Sequence, residues 1–180
     1  MSEHTKVALL RGINVGGHRR VPMDDLRDVA AGIGFGDPVT YIQSGNLVFD
    51  ADLDEEASVT ALAAALADRF GFDVSVVVRS AAELAAVAAS HPFDGLDLEA
   101  RFLMVAFLDR APTVDVATAI DPDSYLPDRF TIEGREVYLA YPNGSGRSKL
   151  NHTLLERRLQ VGATVRNWPT VTTLAALATR

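Results

Sequence analysis

A strand that is apolar on both faces has to lie inside a sheet covered on each side, and this chain contains two such runs. Lys6 to Asn14 carries Val7, Ala8, Leu9, Leu10 and Ile13, and Phe102 to Leu108 is apolar throughout. Neither run shows the in–out alternation of a sheet with one wet face. The two runs lead into elements of similar order. After the first, Met23, Leu26, Ala30 and Ile33 recur at helical spacing behind Pro22, a residue suited to a first helical turn, until Gly32, Gly34 and Gly36. Val39 to Gln43 and Leu47 to Phe49 flank Ser44-Gly45-Asn46 as a hairpin. Val59, Leu62, Ala63, Leu66 and Phe70 mark a second helix ended by Gly71, and Val74 to Val78 is a further strand.

The second run is succeeded by a weaker helical stretch, Pro112 to Ile120. Next come a hairpin of Arg129 to Ile132 with Val137 to Tyr141 around Glu133-Gly134, a helix Leu150 to Leu159, and a short strand near Ala163 to Val165. Each half then ends in one more helix. The first is announced by the capping box Ser80-Ala81-Ala82-Glu83 and the second runs from about Thr170 to Ala178. The order βαββαβ therefore occurs twice, without sequence identity between the halves. Such a unit gives an antiparallel sheet with both helices on one face, the ferredoxin-like arrangement. The expected fold is α+β: two ferredoxin-like βαββαβ halves in tandem, an internal duplication, each half followed by an extra helix and the two packed into one compact unit. Residues 1–92 form the first half and 93–180 the second, with the boundary in the polar, turn-rich stretch His91 to Glu99.

Composition excludes several classes of function. Zero cysteines remove disulfides, thiolate catalysis and cysteine-based zinc sites. No apolar run approaches the roughly 20 residues that cross a bilayer, and Met1-Ser2-Glu3-His4-Thr5-Lys6 lacks the basic start and apolar core of a signal peptide. A cytoplasmic chain with no membrane partner is expected, monomeric or weakly dimeric. The net charge of −7 argues against duplex DNA as a partner. The four histidines, His4, His18, His91 and His152, show no metal-ligand spacing, so neither metal nor cofactor is expected. His91 before Pro92 reads as a helix stop.

Against the acidic background, basic residues gather near glycine turns, as a small anionic ligand requires. Four polar segments leave strand ends. Arg11-Gly12-Ile13-Asn14-Val15-Gly16-Gly17 contains an arginine inside an apolar strand, where a guanidinium must be paired, cap carbonyls or bind an anion. Gly16 and Gly17 suit a phosphate-cradling nest or an ordinary turn. Gln43-Ser44-Gly45-Asn46 lies at the hairpin tip. Asn143-Gly144-Ser145-Gly146-Arg147-Ser148-Lys149 reads as a glycine turn entering a helix whose first residues are Arg147, Ser148 and Lys149, a geometry that binds anions through free N–H groups. Arg166-Asn167-Trp168 follows the last strand, with Trp168 either stacking on a ligand or packing the final helix.

Several familiar sites are absent. The three-glycine dinucleotide spacing is missing after Gly12, and Ser148 preceding Lys149 is not a Walker loop. Ser44 lacks the glycine two residues upstream that a nucleophile elbow needs, and His18 is the best-placed general base. The residues support a binding protein for a nucleotide or phosphate ester at Arg11, Asn14, Gly16, Gly17, Gln43, Ser44, Asn46, Asn143, Gly144, Gly146, Arg147, Ser148, Lys149, Arg166, Asn167 and Trp168. They leave open whether the same pocket serves a metal-free hydrolase or transferase, or whether the chain is an RNA or single-strand binding module.

Together Leu9 to Gly17, Tyr41 to Phe49, Tyr141 to Gly144 with Ser148-Lys149-Leu150, and Arg166-Asn167-Trp168 with Thr170-Val171 resemble the bacterial family known as domain of unknown function 1697. Pro169 stands where the family usually has an asparagine. The resemblance implies an α+β fold of duplicated ferredoxin-like halves and implies no activity.

Overall fold

The computed structural model describes residues 4–17 and 19–179, and the chain divides into two compact units, Met1–Ala86 with Thr173–Arg180, and Val87–Thr172. The protein is a mixed α+β chain with two four-stranded antiparallel sheets and six α-helices among the described residues.

In the first unit β1 (Thr5–Arg11), α1 (Met23–Gly32), β2 (Gly36–Tyr41), β3 (Asn46–Asp50), α2 (Glu55–Phe70) and β4 (Ser75–Ser80) follow one another. The sheet order is β2-β3-β1-β4. Ala8 and Leu10 of β1 pack with Leu26 and Ala30 of α1 and with Leu62 and Leu66 of α2, all fully buried. Phe35 stacks on Phe49 with ring centroids 4.2 Å apart. Each such aliphatic or aromatic side chain removed from water stabilises the unit by about 1.5–3 kcal/mol. Val7 and Leu9, pointing the other way, are buried as completely, so both faces of β1 are covered. Local signals set the helix ends. Asp54 caps α2 by accepting from the Ala57 N–H, and Gly71 closes it in the left-handed region. β4 runs straight into α3 (Ala81–Ala89) through the capping box, with the Ser80 N–H on Glu83 Oε2 at 2.8 Å and the Glu83 N–H on Ser80 Oγ at 3.2 Å.

The second unit runs β5 (Leu103–Leu108), α4 (Val114–Thr118), β6 (Arg129–Glu133), β7 (Glu136–Ala140), α5 (His152–Leu159) and β8 (Ala163–Asn167), with sheet order β6-β7-β5-β8. Ala106 and Leu108 pack with Leu139, Leu155 and Leu159, and on the opposite face of β5 Val105 and Phe107 are equally buried. α6 (Trp168–Ala178) follows β8 directly. The two sheets share a detail of register. Arg79 of β4 pairs opposite Val7 of β1, and Arg166 of β8 pairs opposite Val105 of β5.

Two expectations shift. The stretch Pro112 to Ile120 forms only the five-residue α4, Val114–Thr118. The glycine turn does not open a helix at Arg147. Ser145–Arg147 is a single 3₁₀ turn, Ser148 is extended, and α5 begins at His152 behind Asn151. Asn151 determines this start, because its side chain accepts from the Leu154 N–H at 3.0 Å. No helix among the described residues is long and apolar enough to cross a membrane.

Candidate functional site

Where β1 leaves the first sheet, the chain enters a loop in which Gly12, Asn14, Gly16, Gly17 and Arg19 all have positive φ, between 51° and 79°. Asn14 holds this loop. Its Nδ2 donates to Val21 O at 2.9 Å and to Gln43 O at 2.8 Å, while its Oδ1 accepts from the Val21 N–H at 2.9 Å. Its own N–H donates to Arg19 O. One side chain thus joins both ends of the loop to the β2–β3 turn. Asn46, fully buried, does the same within that turn, donating to Tyr41 O at 3.0 Å and Ser44 Oγ at 2.9 Å. The first two polar segments are therefore one braced structure. Gly16, Gly17, Gln43 and Ser44 are exposed on it and Arg11 is half-buried. Arg19 folds over Phe72, its guanidinium carbon 5.4 Å from the ring centroid, and donates to Asp73 O at 2.9 Å. His18 lies outside the described residues.

The glycine turn of the second unit is built differently. Tyr141 Oη donates to Leu150 O at 2.7 Å, and burial, then the charge of Asp128, raises the phenol above its ordinary range, so it stays a donor. The Ser148 N–H donates to Ser145 O, and the Ser148 hydroxyl donates to the Asp128 carboxylate. Ser148 therefore offers neither a free helix-terminal donor nor a purely positive surrounding. Asn143, Gly146, Arg147 and Lys149 are exposed or half-buried, and Gly144 has φ +80°.

Arg166 is 8 % exposed and donates to Thr164 Oγ1 at 2.8 Å and Val165 O at 2.9 Å. Burial lowers its pKa to about 10, which leaves it charged near neutrality. Asn167 caps α6, accepting from the Thr170 N–H at 2.9 Å. Trp168 is half-buried and meets the ring of His91 edge-on, centroids 4.9 Å apart. Arg166 to Trp168 thus share the second unit with Asn143 to Lys149, whereas Arg11 to Asn46 belong to the first.

Two polar groups not singled out as site residues are buried. Arg79 has no exposed surface, donates to Val78 O at 2.9 Å and lies 3.7 Å from Glu55 Oε1. Its signal stands in the sequence: it interrupts the apolar run of β4 just as Arg11 interrupts that of β1. His91, expected as a helix stop, has a buried ring. Its Nε2 donates to Met104 O at 3.2 Å and its Nδ1 accepts from the Phe93 N–H at 3.3 Å, an arrangement of the neutral imidazole. Burial lowers its pKa below 6.5, against smaller opposing effects of the Met104 carbonyl and Asp94. A depressed folded value means that the unfolded chain takes up the proton first. The contribution of His91 to stability is then fully present above its ordinary value of 6.5 and lost as pH falls through the folded value. We expect the urea midpoint to fall on acidification from about pH 7 to about pH 5, and to fall less steeply in His91→Phe. Equal slopes for the two proteins would show that His91 is not the titrating group.

Among the described residues no group of three or more His, Asp or Glu side chains is placed to hold a metal ion. The fold and its loops define an α+β protein with a glycine- and arginine-bearing loop at the end of β1, several of whose residues have positive φ. The chain belongs to the family described as protein of unknown function, DUF1697, whose model matches residues 3–138. That match includes the two braced segments of the first unit and ends before the glycine turn of the second. A solved structure similar in fold is that of conserved bacterial protein SP0830 from Streptococcus pneumoniae, with 22 % identity, TM-score 0.77, and coverage of 99 % of this chain and 100 % of that one. No curated protein sequence matches the chain.

Proposed function

We propose that the protein binds a small anionic ligand, a nucleotide or other phosphate ester, at the loop running from Arg11 to Arg20. The observation that carries this reading is the conformation of that loop. Five described residues of this loop, Gly12, Asn14, Gly16, Gly17 and Arg19, have positive φ, a backbone conformation from which anion-binding nests are built, and the Asn14 side chain braces the loop to Val21 and Gln43. Arg11, Arg19 and Arg20 supply positive charge in a chain of net charge −7. Gln43 and Ser44, exposed on the turn that Asn14 grips, orient the ligand. Arg147 and Lys149 of the second unit are a weaker candidate, because Asp128 faces Ser148 there.

Titration of the full chain with inorganic phosphate and with adenosine monophosphate, followed by amide chemical shifts, tests the proposal. Saturable shifts confined to residues 11–20 and 42–45 are expected, with affinity falling at least about tenfold in Arg20→Gln and declining with salt. Shifts elsewhere, or an affinity indifferent to Arg20, would overturn it.

We also infer that the chain consists of two ferredoxin-like halves related by internal duplication, residues 1–92 and 93–180, with the end of the last helix, from Thr173, grouped with the first compact unit. In support, both sheets have the order second-third-first-fourth in terms of their own strands. The matching positions of Arg79 and Arg166 opposite Val7 and Val105 point the same way. A cytoplasmic location fits a chain without cysteine.

A further inference from the structure

The second unit contains a cavity of about 570 Å³ beside Pro142, at the start of the glycine turn. That volume lies within the roughly 300–1,000 Å³ of small-molecule sites. Its walls are largely apolar, including Leu96, Leu98 and Leu126, and Leu126 leaves 56 % of its surface in water. A large aliphatic side chain kept that wet gains by covering. Two charges line the same cavity, Asp97 and Arg129, and both are exposed. Among the described residues neither side chain makes an ion pair or hydrogen bond, with the other or with anything else.

We propose that this cavity binds a small zwitterion with an apolar body, of the class of an apolar α-amino acid or a short peptide of such residues. The carboxylate goes to Arg129, the ammonium group to Asp97, and the aliphatic body to the leucine and proline walls. A ligand of one sign only would meet a repelling charge on this lining, whereas a zwitterion satisfies both. Planar, forked recognition of a carboxylate is what a guanidinium does best. This site shares no residue with the Arg11–Arg20 loop, so binding at one does not depend on binding at the other.

The test is a titration of the full chain with L-leucine and with leucyl-leucine, read by amide and methyl shifts. Saturable changes confined to residues 96–98, 126–129 and 142 are expected for at least one of them, and which one binds distinguishes amino acid from peptide. Leucyl-leucine acetylated at its N-terminus and amidated at its C-terminus keeps the apolar body without either charge. It should bind about tenfold more weakly, and Arg129→Gln and Asp97→Asn, both at exposed positions, should each weaken binding of the zwitterion about fivefold or more. No saturable change with either zwitterion at tens of millimolar overturns the proposal. So does equal affinity for the blocked peptide, or indifference to both substitutions.

Discussion

Replacing Gly45 by alanine is expected to destabilise the protein by about 2–4 kcal/mol, a large share of the roughly 5–15 kcal/mol that holds a typical domain folded. Two costs add. Gly45 has φ +77°, where a side chain costs about 1 kcal/mol. A Cβ there would also lie 2.7 Å from Ile13 Cδ1 and 2.8 Å from Leu10 Cβ, and overpacking of this kind costs about 1–3 kcal/mol. The Ile13 methyl can swing aside, but Leu10 Cβ cannot, because it is fixed to the backbone of β1. The Leu10 N–H moreover donates to Gly45 O at 2.8 Å, so moving the turn away from the strand breaks a backbone bond. Gly17→Ala is the control. It has φ +79° but nothing within 4 Å of the added carbon, so only the conformational cost of about 1 kcal/mol should appear. Urea denaturation of the two variants measures the difference. Equal losses would mean that the Gly45 turn gives way more easily than its packing against Leu10 implies.

Features set by neighbours in sequence were legible in the chain. The Ser80–Glu83 capping box, the Gly71 helix end and the β6–β7 hairpin depend on residues a few positions apart, and they form where those residues stand, whereas β2 runs Gly36–Tyr41 and leaves Ile42 and Gln43 in the turn. The start of α5 was legible in principle, since Asn151 is a strong cap, but Gly144 and Gly146 beside basic residues drew the expected helix too early. Here local propensity at the turn lost to the hydrogen bond that Asn151 makes with Leu154. The braces could not be read. Asn14 and Gln43 lie 29 residues apart, and nothing in either segment says that the amide of one reaches the carbonyl of the other. The same holds for His91, whose ring partners Tyr138 and Trp168 are brought to it only by tertiary packing. Residue types at the candidate site were thus visible from the sequence. Asn14, Asn46 and Asn167 prove to be committed to the backbone, which leaves glycine N–H groups, arginines and a few exposed polar side chains to meet a ligand.

That distinction makes Asn14 the sharpest test of the proposed site. Asn14→Gly keeps the left-handed conformation, at φ +56° in the protein, and removes only the side-chain bonds. The substitution leaves the Val21 N–H, Val21 O and Gln43 O without their partner, and a loss of about 2–4 kcal/mol is expected. Asn14→Ala should cost about 1 kcal/mol more, because alanine resists positive φ. Asn14→Asp is nearly the same shape and is expected to be the worst of the three. It can still accept from Val21 N–H, but it turns an oxygen toward the two carbonyls that the amide now serves. In all three the arginines and glycines that would touch the anion are unchanged. If the loop binds because it is held in advance, phosphate affinity falls along with stability, even at temperatures where each variant remains folded. Should Asn14→Gly unfold more readily yet bind phosphate as tightly as the parent, the anion would be recognised by charge alone, and the positive-φ conformation of Gly12, Asn14, Gly16, Gly17 and Arg19 would serve only the fold.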